Sequence, residues 1–244
     1  MLKSRNVWVR LAMGAVGALL ALLIIKVVDA RGAPSAERMD EIVQGSVPEV
    51  FGLFKTAFPA EYDTYLAELV SGPQDSASIA ATTTRHLVSL RQTNAHLIQR
   101  ADDNILRQVI AGNLQTLRLL HSIGAQDACN RYALGGATAL TAAELDRFGD
   151  LHTASIRDVM RAIASGRADG IKRKLAQDAD WDGLMSAMGE AGHGAPSLTA
   201  LAQMDGADPH LCAATIGMLE AMLSSTDAAM GRVRASFVAD LARM

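Results

Sequence analysis

Beyond residue 36, apolar side chains return every three or four positions along nearly the whole chain. No run alternates apolar with polar residues, so the pattern predicts helices throughout. Pro48 divides a first helical segment over 36–57, and Pro59 opens a second that runs to about Leu69 and stops at Gly72-Pro73. A long segment covers Ser76 to about Arg100. Asp102-Asp103 caps the next, which reaches His121 and closes at Gly124. Gly135-Gly136 breaks the chain again, Thr141 and Glu144 form a capping box for a helix to about Ala164, and another begins near Ala168. Asp208-Pro209 marks the start of a final helix reaching the C-terminus. The expectation is an all-α bundle of about seven helices.

Leu211, Met218, Met222, Ala229, Val233, Phe237 and Leu241 are separated by sevens and fours. They predict one buried stripe on the final helix, with Arg232, Arg234 and Asp240 off it. Half of the aromatic residues, Phe51, Phe54, Phe58, Tyr62 and Tyr65, succeed one another in steps of 3, 4, 4 and 3. Rings in that register build the core of a first helical hairpin, or alternatively line a groove for a ligand or partner.

Residues 1–30 have a different pattern. Lys3, Arg5 and Arg10 precede an uncharged run from Leu11 to Ile25, and Lys26 comes directly after it. Counted from Val7 to Val28, the segment is about 33 Å long as a helix, against about 30 Å of bilayer hydrocarbon. Arg10 and Lys26 reach the headgroup layers, Trp8 suits the interface, and the excess of basic residues before the span places the N-terminus in the cytoplasm. The competing reading is a signal peptide cleaved after Ala30, with Val28 and Ala30 as the small residues before the cut. Both readings export the remainder of the chain, a linker over 31–36 and a helical domain over 37–244. The expected location is a bacterial inner membrane with the domain in the periplasm, or a periplasmic or secreted protein after cleavage.

Composition narrows the functional classes. The chain is 50% hydrophobic and 4% aromatic with a net charge of −3, which excludes a disordered chain and argues against an all-β domain. Removing the four basic residues and one acid of residues 1–30 takes the net charge to −6, a surface unsuited to nucleic acid. Cys129 and Cys212 are the only cysteines, and in an exported chain such a pair predicts a disulfide.

Asp178, Asp180, Asp182 and Gly183 occupy positions 1, 3, 5 and 6 of a helix-loop-helix calcium loop, with Ser186 at position 9. Position 12, where a bidentate carboxylate belongs, is Gly189, and Glu190 comes one residue late. The alternative is a helix with a charged face. On a single helix over 168–188, Asp178 and Asp182 would fall within its apolar half, so a break between Gln177 and Gly183 is expected. The histidines at 86, 96, 121, 152, 193 and 210 show no zinc spacing, and His193 lies in a glycine-rich loop with no nucleophile motif beside it.

These features favour a non-enzymatic, membrane-tethered helical module. Residues 7–28 would contact lipid, and another envelope or membrane protein would be the partner. The alternatives are a small-ligand or calcium-binding module, and a hydrolase of an envelope polymer.

Overall fold

The computed structural model describes residues 35–168 and 170–243. The expected membrane segment lies outside them, as does most of the linker. Among the described residues no helix is long and apolar enough to cross a membrane.

The described chain is all-helical. In order, the helices are α1 (Ala36–Ser46), α2 (Pro48–Ala57), α3 (Pro59–Ser71), α4 (Ser76–Asn94), α5 (Asp103–Ser122) and α6 (Gln126–Gly135). They continue with α7 (Ala142–Arg147), α8 (Gly149–Ala168), α9 (Asp178–Glu190), α10 (Ala195–Gln203), α11 (Leu211–Ser224) and α12 (Ala228–Arg243). Short 3-10 segments over Ala95–Arg100 and Gly136–Ala139 come after α4 and α6. These twelve helices exceed the seven expected because several long segments are divided.

Two compact units emerge. The first comprises the described residues up to Thr93 together with Thr141–Met160, and the second Asn94–Leu140 with Arg161 onward.

In the first unit, Ser35 caps α1 by accepting the Arg38 amide at 3.3 Å, and prolines open both α2 and α3. The chain turns at Phe58, so α2 and α3 are separate helices whose five aromatic rings converge. All five are at most 1% exposed. Tyr65 stacks on Phe51 and Phe54 at centroid distances of 5.9 and 5.7 Å, and Tyr62 meets Phe54 edge-on at 5.3 Å. These rings fill the unit's interior rather than lining an open surface. The two tyrosine hydroxyls stay satisfied, Tyr62 by donating to Asp40 at 2.7 Å and Tyr65 by pairing with Thr83 at 3.1 Å.

In the second unit, α11 is the central helix and packs against α5, α6, α9, α10 and α12. Asp102 caps α5 through the Asn104 amide at 2.8 Å, and Gly124 ends that helix region with φ +71°, a conformation suited to glycine. The expected single helix from 209 onward is instead α11 and α12. Asp227 accepts the Met230 amide at 2.7 Å and restarts the helix, which resets its phase. The predicted stripe holds only in part for this reason: Leu211, Met222 and Val233 are buried, but Phe237 and Leu241 are only partly buried, whereas Arg234 has no exposure.

Candidate functional site

The two cysteines lie in the second unit, where they form a disulfide between α6 and the first turn of α11 with Cα atoms 5.5 Å apart. Both are fully buried. Beside them Asn130 donates to the carbonyls of Gly206 and Asp208, each at 2.9 Å, while its Oδ1 accepts the Cys212 amide at 3.1 Å. The disulfide and this amide together fix the loop leading into α11.

The aspartate run belongs to a helix start. Asp178, Asp180, Asp182, Ser186 and Glu190 all lie on α9, which is helical from Asp178 onward, so the segment lacks the loop on which calcium coordination depends. Asp180 is buried and accepts from Arg232 Nε and Nη2 at 2.8 and 2.6 Å and from the Gln177 amide at 2.9 Å. The Arg232 pairing and the Gln177 amide hold its pKa down at about 2. Asp178 and Asp182 are exposed. Among the described residues, no three His, Cys, Asp or Glu side chains gather to hold a metal ion. The anticipated chain break exists, but it precedes the run.

That break is a non-helical strap over 170–177, which joins α8 to α9. Its first end is fastened to the 3-10 segment before α5. Gly170 lies so close to Arg100 that a Cβ would overlap the guanidinium, and the Ile171 amide donates to the Arg100 carbonyl at 2.8 Å. Arg173 Nη1 reaches the carbonyls of Gln99 and Ala101 at 2.9 and 3.0 Å. The far end is held by the bond from the Gln177 amide to Asp180, itself locked to Arg232 on α12.

Between these fastenings the strap presents aliphatic and basic side chains to solvent. Ile171 is 42% exposed and Leu175 62%, with Lys172 and Lys174 exposed beside them. An anchored backbone displaying apolar side chains can be covered by a partner at little additional ordering cost. The sequence signal was the basic run Lys172-Arg173-Lys174 set between the aliphatic Ile171 and Leu175.

His193 lies just after α9, and its ring packs against α11 at Gly217, where a Cβ would overlap the imidazole. That histidine is part of the packing. In the first unit, by contrast, His152 on α8 is only 7% exposed, and neither ring nitrogen has a hydrogen-bond partner among the described residues. Burial first, and then the field of Arg91 on α4, push its pKa down to about 4.

The chain matches no protein-family model, no curated protein and no solved structure.

Proposed function

We propose that the protein is a non-enzymatic interaction module tethered to a bacterial inner membrane through residues 7–28. Its helical units would work in the periplasm on another envelope protein. The observation that carries this reading is the strap, where Ile171 and Leu175 stay exposed on a backbone held at both ends. Lys172 and Lys174 beside them favour a partner segment that pairs apolar with acidic residues. The buried Cys129–Cys212 disulfide supports an oxidising compartment, since cytosolic thiols are kept reduced. A tether raises the local concentration of membrane-bound partners, so a contact this small suffices without high intrinsic affinity.

The test uses the full chain in its membrane with a photo-crosslinking residue at position 175. A discrete adduct with a second polypeptide is expected, and it should vanish when Ile171→Glu is added. Alkylation before lysis should find both cysteines oxidised. Absence of an adduct would overturn the interaction reading, and reduced cysteines would overturn the periplasmic one.

A further inference from the structure

Among the described residues, every lysine and arginine lies on an α-helix or a 3-10 segment except Lys172, Arg173 and Lys174, which stand in a row on the strap. Endopeptidases cut exposed, non-helical backbone far more readily than packed helix, so basic side chains elsewhere in the fold are poor targets. The three on the strap differ from one another. The guanidinium of Arg173 is engaged by the Gln99 and Ala101 carbonyls and so is withheld from another protein's pocket. Lys172 sits between that fastening and the Ile171 amide bonded to Arg100, which holds its backbone on both sides. Lys174 and Leu175 lie past these fastenings, both exposed, with Leu175 at 62%. Among the described residues, no backbone group of 172–176 pairs with another backbone group. The Leu175 carbonyl accepts from the Gln177 side chain at 3.1 Å.

The disulfide spans this bond, since Cys129 precedes the strap and Cys212 follows it. The buried Arg234–Asp103 pair spans it too. The fastenings of the strap do not: those of Ile171 and Arg173 to residues 99–101 lie wholly before Lys174, and that of Gln177 to Asp180 wholly after Leu175. A cut here severs none of them. We propose that the Lys174–Leu175 bond is a processing site for an endopeptidase selective for basic residues, and that its product is a two-chain protein joined through Cys129–Cys212. Water adds across the amide: its hydroxyl goes to the Lys174 acyl carbon, the C–N bond breaks, and the Leu175 nitrogen takes the proton. A carboxylate and an ammonium result, nothing is oxidised or reduced, and the disulfide persists. The proposal is independent of the partner-binding reading, because no second polypeptide has to occupy the strap.

The test has two arms. In the first, the purified full chain in mild detergent is treated briefly with dilute trypsin and compared on gels with and without reductant. The expected product is a fragment whose N-terminal sequence begins at Leu175 and which separates only after reduction. Lys174→Gln removes the charge that an acidic pocket would pair, and cleavage at that bond should fall by about a hundredfold or more. Lys174 is exposed, so this variant is expected to fold. In the second arm, the full chain is recovered from its native membrane after thiol alkylation, and the same Leu175 fragment should appear on reduction. Earlier cutting within any helix from α1 onward, or an unchanged rate in Lys174→Gln, would overturn the proposal. A fragment released without reductant, or a chain still whole after reduction in either arm, would overturn it as well.

Discussion

Arg234 grips Asp103 with both arms of its guanidinium fork, Nε to Oδ1 at 3.0 Å and Nη2 to Oδ2 at 2.8 Å, and its own side chain is completely buried. The remaining nitrogen, Nη1, donates to the carbonyls of Met222 and Ser225 at 2.6 and 2.8 Å, so one arginine joins the start of α5 to the end of α11. Removing the carboxylate leaves a buried charge without its counterion. Asp103→Leu is therefore expected to cost about 3 kcal/mol, at the lower end for a broken buried pair because Asp103 is one-third exposed. Arg234→Met together with Asp103→Leu should recover part of that loss, since no charge then remains unpaired. Urea unfolding of the two single variants and the double variant checks this. A double variant as unstable as the sum of the singles would show that the pair is not coupled.

The disulfide makes a separate contribution. It closes a sequence separation of 83 residues, for which loop entropy gives on the order of 4–5 kcal/mol of stabilisation. Reductant, or Cys129→Ala with Cys212→Ala, should lower the urea midpoint accordingly. Asn130 would still clamp the loop before α11 in that variant, so the fold should survive with reduced stability.

The parts of this structure legible from sequence are those encoded within a few residues. The aromatic steps from Phe51 to Tyr65 placed one hairpin core, Asp102 was legible as a cap, and Thr141 with Glu144 formed the capping box. What escaped depended on contacts distant in sequence or on a change of helical phase. The box at Thr141 opens a helix of only six residues, because the chain turns again at Phe148. A restart at Asp227 turned Arg234 inward, where periodicity extrapolated from Leu211 had left it outside. The aspartates after Gln177 matched a calcium loop by spacing, yet acids also favour a helix N-terminus, and here Asp180 bonds back to the Gln177 amide. The burial of Arg91 and His152 had no local signal, since polar residues on separate helices reveal their seclusion only after packing.

Two helical glycines should respond differently to the same methyl group. At Gly166 of α8 an added Cβ would overlap the backbone carbonyl of Leu97, and backbone cannot swing aside. Gly166→Ala is expected to destabilise by about 2 kcal/mol or more despite alanine's better helix propensity. At Gly217 the obstacle is the His193 ring, which a side-chain rotation removes. Gly217→Ala should cost less than half as much and should raise the solvent exposure of His193, measured by its reactivity toward diethyl pyrocarbonate. Equal losses at the two sites would contradict the close approach of Leu97.

His152 gives the fold a pH dependence whose sign can be worked out. Its pKa is lowered from 6.5 to about 4, so the folded chain keeps the ring neutral while the unfolded chain takes up a proton below about pH 6.5. The unfolded state therefore binds more protons between those values. Stability is full above pH 6.5, declines as pH falls toward 4, and has lost this contribution below 4. A difference of this size corresponds to on the order of 3 kcal/mol at most, since each pH unit is about 1.4 kcal/mol. The carboxylates of Glu68 and Asp180, held at about 2 by their arginines, lose their contributions only as pH falls from about 4.5 downward, which leaves the window from 6.5 to 4.5 to histidine. Urea unfolding at pH 7.5, 5.5 and 4.5 should show the decline in the wild-type chain and a much flatter profile in His152→Gln. A wild-type profile that is flat between pH 6.5 and 4.5 would mean that the imidazole protonates freely in the folded state.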